Sequence, residues 1–354
     1  MKKFAVSLAL LTSAALALAG CGTPPEGEDT PGADKVDFLA CMISDAGGFD
    51  DKSFNQSGYE GMTRAEKDLG VSIKEAESKD ANDFGPNLDS MKTQKCDLTI
   101  TVGFMLKDAT EQQALANEDM KFAIVDDSQI TLPNVKPLVF KTSDAAFLAG
   151  YAAAAYSTTG KVATFGGMKI PSVTIFMDGF ADGVAQYNTD TGKKVEVLGW
   201  NKEAQNGMFT ETFDNQATGK QTAQTLIDQG ADVIMPVAGP VGLGAAAAAQ
   251  EANNVVIIGV DADWFETAPQ YQDIVLTSVI KEIGTSVFDT IKESVDGNYS
   301  STPYVGTLAN GGVALAPFHN FDSQLDQATK DRIAELTEMI SNGTYVVSSP
   351  SDPQ

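Results

Sequence analysis

Acidic and aromatic side chains recur in the segments that follow the apolar runs of this 354-residue chain. Phenyl rings offer flat surfaces for stacking, and carboxylates accept hydrogen bonds from hydroxyls or ring N–H groups. Their presence indicates a binding site for a small molecule that stacks on rings and donates hydrogen bonds. The residues concerned, with one glycine among them, are Asp45, Phe104, Asp126, Asp127, Phe209, Gly239, Asp261 and Asp263.

The composition argues against several other kinds of chemistry. The net charge is −24 and only two cationic residues are arginines, Arg64 and Arg332, so nucleic acid is not an expected partner. The single histidine, His319, excludes a multi-histidine zinc site and is assigned a structural or surface role. No metal or cofactor is expected. The chain also lacks a GxSxG elbow and a P-loop, and the glycines of 239–244 have the spacing GxxGxG, so an enzyme is not indicated.

Apolar runs alternate with helical patterns, and these elements must position the side chains. The alternation is typical of parallel strands joined by crossover helices, so the sequence predicts an α/β fold of doubly wound parallel sheets, with two such units at this length. In such sheets ligands bind beyond the carboxyl ends of the strands. The predicted strands are 36–43, 71–75, 97–102, 121–125, 137–140, 161–165, 194–199, 232–237, 255–260 and 273–279; the predicted helices are one from Ser53 and 84–94, 107–118, 144–157, 171–188, 217–229, 240–252 and 281–296.

The first of these helices carries a start signal. Ser53 and Gln56 have the spacing of a capping box, in which the serine side chain accepts a hydrogen bond from the first turn. Asp50 and Asp51, just before it, are interpreted as residues that shape the loop.

The N-terminal segment predicts the compartment. Two lysines precede a 16-residue apolar stretch, 4–19, which is short for a membrane span and typical of a secretory signal. The sequence Leu18-Ala19-Gly20-Cys21 resembles the lipobox of bacterial lipoproteins, which implies that 1–20 is a signal peptide and that Cys21 is lipidated. Residues 21–35 then form a flexible tether. We expect a lipid-anchored protein on the extracytoplasmic face of the cell membrane.

Two cysteines remain, Cys41 and Cys96. An even pair in an exported protein invites a disulfide. However, Cys41 lies late in one predicted strand and Cys96 precedes another, which would put the two sulfurs at opposite ends of neighbouring parallel strands. We therefore expect two buried free thiols.

The stretch from Asp45 to Gln56, DAGGFDDKSFNQ, resembles the signature of the basic membrane protein (BMP) family of ABC-transporter substrate-binding lipoproteins, which includes purine nucleoside receptors. Further stretches fit the family in order and spacing, across about 36–320. They are 123–126, 147–151, 199–201, 230–234, 236–239, 258–261 and 276–281. The resemblance implies a type I periplasmic-binding-protein fold: two lobes joined by three crossovers, with 36–141 plus 280–300 as lobe one and 142–279 plus 301–354 as lobe two.

The same resemblance implies roles for individual residues. Phe54 and Phe209 would sandwich a nucleobase, and Phe176 would wall the pocket. Asn55 and Asp126 would bond the edge of the base. The ribose hydroxyls would be held by Asp261, Lys281 and Asp45, with close backbone approach at Gly239. The implied function is capture of a nucleoside, with a purine favoured, and delivery to an ABC permease and its ATPase by a monomeric protein.

Three alternatives remain open. Phe213 could substitute for Phe209, since both lie in one polar loop. The ligand could be a sugar or another small polar molecule, although the scarcity of arginine favours a nucleoside. The protein could also be a sensor or a surface-interaction lipoprotein that is not coupled to transport.

Overall fold

The computed structural model describes residues 35–353, which form two α/β lobes. In chain order the elements are β1 (Leu39–Ser44), α1 (Phe54–Leu69), β2 (Ser72–Ala76), α2 (Phe84–Gln94), β3 (Leu98–Val102), α3 (Lys107–Ala116), β4 (Phe122–Val125), β5 (Val135–Phe140), α4 (Thr142–Tyr156), β6 (Lys161–Gly166), α5 (Pro171–Thr191), β7 (Glu196–Leu198), β8 (Trp200–Asn201), β9 (Asn206–Gly207), α6 (Gln216–Asp228), β10 (Val233–Val237), α7 (Val241–Ala252), β11 (Val256–Asp261), α8 (Trp264–Thr267), β12 (Val275–Lys281), α9 (Ile283–Val295), β13 (Tyr304–Gly306), β14 (Val313–Leu315) and α10 (Gln327–Ser341).

Each lobe is built on one sheet, and the two sheets have the same strand arrangement. The first has the order β13-β5-β4-β3-β1-β2 and is parallel throughout. The second has the order β14-β12-β11-β10-β6-β7, and β14 alone is antiparallel. The central strands are fully buried, as expected where helices cover both faces of a parallel sheet. The predicted fold class is therefore confirmed.

The chain crosses between the lobes three times: after β5, after β12 and after β13. Backbone hydrogen bonds join the crossovers, from Lys141 N to Gly306 O (2.7 Å) and from Glu282 N to Gly312 O (2.9 Å). Strand β13 pairs with β5 in the first sheet, so the last return to the second lobe comes after Gly306 rather than at the predicted boundary of 300/301.

The expectation of two free thiols is wrong. Cys41 and Cys96 form a disulfide, with their Cα atoms 5.9 Å apart. Cys41 lies in the middle of β1, where it pairs with Thr99 of β3, and not near the end of the strand. Lys95 has a left-handed backbone that ends α2 and turns the chain back toward the sheet. Both sulfurs therefore belong to one buried apolar cluster of the first lobe.

Helices α4 and α5 pack closely on each other in the second lobe. Helix α4 is buried on nearly all sides, and α5 approaches it through glycines. A Cβ atom at Gly183 would lie 1.9 Å from the carbonyl oxygen of Phe147, so only glycine permits this approach.

Residues 35–353 contain no helix that is long and apolar enough to cross a membrane. The predicted signal peptide, the lipidation site Cys21 and nearly all of the tether lie outside the described residues.

Candidate functional site

A cavity lies between the lobes, at the carboxyl ends of the strands, as the rule for doubly wound sheets requires. Its walls combine apolar side chains with a few polar groups, the usual make-up of a small-molecule site. Eight of the nine predicted binding residues line it: Asp45, Phe54, Asn55, Asp126, Phe176, Gly239, Asp261 and Lys281.

Phe209 is the predicted residue that does not line this cavity. Its ring packs edge-on against Trp200, with the ring centroids 6.0 Å apart, and against Gly166 at the end of β6. Phe213, from the same loop, lines the cavity and lies against Gly167. The short hairpin β8–β9 and the backbone bonds after it turn Phe209 away, and those bonds leave no signal in the sequence.

The cavity is also lined by residues other than the nine predicted binding residues. Phe104 follows β3 and is one of the residues after apolar runs that the sequence singled out, although it was not assigned a role in binding. Phe213 is the alternative to Phe209 that the sequence left open. The others come from loops, from the end of β10 and from the start of α5, where residue type alone does not distinguish core from site; they are Ala46, Asp51, Gly103, Ile170, Ser172, Val173, Val237, Ala238 and Pro240.

A buried ion cluster joins the two lobes across the cavity. Lys281, at the end of β12, is only 3% exposed and lies 2.6 Å from Asp126 and 3.8 Å from Asp261. Its ammonium also lies 4.8 Å from the centroid of the Phe54 ring and 5.7 Å from that of Phe176. Because the ammonium is desolvated, these ring contacts and both carboxylates stabilise its charge.

The two carboxylates of this cluster occupy equivalent positions in the two sheets. Asp126 follows β4 and Asp261 ends β11, and each of these strands is third from one edge of its sheet. Both residues have φ 68°, a left-handed conformation that is rare outside glycine and tends to occur at functional sites. The repeated geometry directs one acid from each lobe toward the same ammonium.

A second polar cluster lies at the start of α1. The amide nitrogen of Asn55 donates to Asp45 (2.9 Å) and to Asp51 (3.1 Å). Its amide oxygen has no partner although the residue is 1% exposed, so an acceptor is left available on this wall of the cavity. Gly103 lies directly beside Asp45, and a Cβ atom there would come within 2.2 Å of the carboxylate.

Asp51, not Ser53, caps α1. The Asp51 carboxylate accepts hydrogen bonds from the backbone N–H groups of Ser53 (2.9 Å), Asn55 (2.8 Å) and Gln56 (3.1 Å). Helix α1 begins after Ser53, as predicted, but the predicted capping box does not form: the Ser53 side chain makes no capping bond and Gln56 bonds Glu60 instead.

Burial controls the protonation of the acids. Burial raises the pKa of Asp45 to about 8. The hydrogen bond that Asn55 donates opposes this increase, whereas the nearby carboxylates of Asp51, Asp126 and Asp261 add to it. Burial also raises the pKa of Asp261 to about 6, which Lys281 opposes. The pKa values of Asp51 and Asp126 are raised for the same reason. At neutral pH the Asp45 carboxyl therefore keeps its proton and can donate a hydrogen bond.

The arrangement suits reversible capture of a neutral polar ligand. Aromatic rings supply contact area, while carboxyl, amide and ammonium groups from both lobes supply acceptors and donors. Residues 35–353 contain no group of three or more histidine, cysteine or acidic side chains placed to hold a metal ion.

A family model described as "ABC transporter substrate-binding protein PnrA-like" matches residues 38–349. The chain belongs to this Bmp family. It is 33% identical to the ABC transporter nucleoside-binding protein BmpA of Lactococcus lactis subsp. cremoris, over 99% of this chain and 100% of that protein. It is 31% identical to an uncharacterised lipoprotein of Pyrococcus horikoshii, over 95% of this chain and 84% of that one.

The fold comparison agrees with the Bmp assignment. A crystal structure of an ABC transporter solute-binding protein from Aeropyrum pernix K1 matches with a TM-score of 0.79 and 25% identity, over 88% of this chain and 94% of that chain. As a Bmp-family substrate-binding protein, the chain has a small-molecule ligand and works with a membrane permease and an ATPase.

Proposed function

We propose that this protein captures a nucleoside, preferentially a purine nucleoside, between its lobes and delivers it chemically unchanged to an ABC permease. The observation that carries the proposal is the composition of the cavity, in which phenyl rings stand beside four carboxyl groups and one ammonium. A nucleobase is a flat, weakly hydrated ring system that stacks on such rings, and a ribose presents hydroxyls that donate hydrogen bonds to carboxylates. The relative from Lactococcus lactis, named as nucleoside-binding, supports the assignment.

In the proposed complex, Phe54 and Phe213 enclose the base, and Phe176 closes one wall. Asp126 accepts the ring N–H of a purine, and the unpartnered amide oxygen of Asn55 accepts a second donor on the base. The pairing of a buried acceptor with a ligand donor explains why this oxygen can lack a protein partner.

The ribose then lies against Asp261, Lys281 and the protonated Asp45, with Gly239 allowing close backbone approach. Gly239 has φ 51° and open space where a side chain would be. Because these groups come from both lobes, the full set of bonds forms only when the lobes are together, and ligand binding therefore favours the closed state.

Calorimetric titration of the protein beginning at residue 22 tests this function. The ligands are purine nucleosides, pyrimidine nucleosides and simple sugars. We expect purine nucleosides to bind and free ribose to give no response. Lys281→Met, which removes the cavity's ammonium, should abolish binding, while Lys292→Met, at an exposed lysine, should leave it unchanged. Tight sugar binding without a nucleoside response would overturn the assignment.

We also propose that Cys21 is lipidated and holds the protein at the extracytoplasmic face of the cell membrane. The lipobox-like sequence supports this, and the relative from Pyrococcus horikoshii is itself named a lipoprotein.

A further inference from the structure

The Ser53 side chain makes hydrogen bonds that cross from the first lobe to the second. Its hydroxyl lies 3.0 Å from a carboxylate oxygen of Asp261 and 3.2 Å from the carbonyl oxygen of Val260. Ser53 precedes α1, whereas both acceptors lie at the end of β11. The residue is 2% exposed, so water does not replace these partners while the lobes are together.

The Ser53 hydroxyl is free for this contact because Asp51 carries out the capping. A serine at this position ordinarily accepts a backbone N–H from the first turn of its helix. Here the Asp51 carboxylate accepts those bonds, from Ser53, Asn55 and Gln56. The serine is thus released from the local role that its sequence context predicts, and its one donor is available to the opposite lobe.

We propose that Ser53 is a latch residue, one that holds the lobes together and positions the Asp261 carboxylate in the closed state. When the lobes separate, water replaces Ser53 as the hydrogen-bond partner of Asp261. The bond therefore contributes only to the closed conformation and shifts the open–closed equilibrium toward it. Lys281 and Asp126 form another buried polar link across the cavity, and Asp261 lies between Ser53 and Lys281.

The latch has two consequences, and only one rests on the proposed function. Without any ligand, losing the Ser53 hydroxyl enlarges the open population. With a nucleoside bound, the same loss speeds release, because the lobes must separate before the ligand leaves. The rate constant of nucleoside association changes less, because the ligand enters the open form.

Three variants test the proposal. Ser53→Ala removes the hydroxyl, and Ser53→Thr keeps it. Ser57→Ala is the matched control, because the Ser57 hydroxyl donates to the Ser53 carbonyl at the start of α1 and this bond stays within the first lobe. Small-angle X-ray scattering of the ligand-free proteins gives the radius of gyration, and stopped-flow fluorescence gives the rate constants of nucleoside binding and release.

We expect Ser53→Ala to have a larger radius of gyration than wild type and to release nucleoside about tenfold faster, the scale of one hydrogen bond to a charged group. Ser53→Thr and Ser57→Ala should match wild type in both. An unchanged radius and release rate in Ser53→Ala would overturn the latch, as would equal opening in Ser53→Thr. If wild type bound no nucleoside, the proposed function would fail, while the scattering measurement would still decide the latch.

Discussion

At the residue scale, the site is defined by the side chains that reach the cavity. Phe209 and Phe213 show that the sequence alone does not identify them. They are four positions apart in one polar loop, so spacing and composition cannot choose between them. The hairpin β8–β9 and the packing on Trp200 make the choice, and only Phe213 lines the cavity. Asp45, Asp126 and Asp261 were predictable, because each follows or ends a strand whose apolar pattern is clear.

Phe213→Ala should weaken nucleoside binding by roughly 1–3 kcal/mol, the contribution of one aromatic stack on a base. Phe209→Ala is the matched control: it removes a ring that packs on Trp200 outside the cavity, so it should lower the midpoint of thermal unfolding with little change in affinity. Calorimetry and thermal unfolding of the two variants separate these effects. A larger affinity loss in Phe209→Ala would return that residue to the binding site.

Asp45→Asn should flatten the pH dependence of stability. An acid with a raised pKa binds more protons when folded, so its contribution is full at low pH and is lost as pH rises from the unfolded value of 3.8 toward about 8. In wild type the free energy of unfolding should therefore fall across this range, by at most about 1.4 kcal/mol per pH unit from this group. The amide in Asp45→Asn does not titrate, so the free energy of unfolding of this variant should lack this decrease.

Urea unfolding at a series of pH values checks the Asp45 prediction. Asp50→Asn, at an exposed carboxylate of the same loop, is the control and should follow wild type. The pKa values of Asp51, Asp126 and Asp261, which also face this region, are raised by burial and contribute to the pH dependence in every variant, so only the difference between curves is diagnostic. Parallel curves for wild type and Asp45→Asn would contradict the assignment of a protonated Asp45.

At the element scale, periodicity predicted most of the fold. The helix at Phe84–Gln94 matches its predicted bounds, and the buried parallel strands stood out as apolar runs. The strands β13 and β14 were missed because three residues are too few to show a periodic pattern. The helix α10 was also missed. The Cys41–Cys96 pairing was also missed, since it depends on a left-handed turn at Lys95 and a lysine does not predict that backbone conformation.

Loss of the disulfide should lower the free energy of unfolding by about 2–4 kcal/mol, because a cross-link over a sequence separation of 55 residues restricts the unfolded chain. Urea unfolding of wild type with and without reductant, beside the Cys41→Ala/Cys96→Ala double variant, measures this loss. Reductant should destabilise wild type and leave the double variant unchanged. Two thiols titrating in denatured, unreduced protein that begins at residue 22 would show that the bond does not form.

At the scale of the whole molecule, two similar halves produce one asymmetric site. The sheets repeat the same strand arrangement and place equivalent left-handed aspartates, Asp126 and Asp261, on either side of the cleft. The single ammonium comes from the second lobe alone, at the crossover after β12. In the proposed closure the chain bends at the three crossovers, and this brings the acids and the ammonium of the ion cluster together.

Anchoring is the remaining property of the whole chain. Cys21→Ser should release the protein from membranes into the soluble fraction, because the acyl chains attached to Cys21 would supply the binding energy. Fractionation of cells that express each form, followed by immunoblotting, measures the effect. Cys96→Ser serves as the control, since it removes a sulfur from the disulfide but leaves Cys21 in place. Membrane retention of Cys21→Ser in the same proportion as wild type would refute lipid anchoring at this residue.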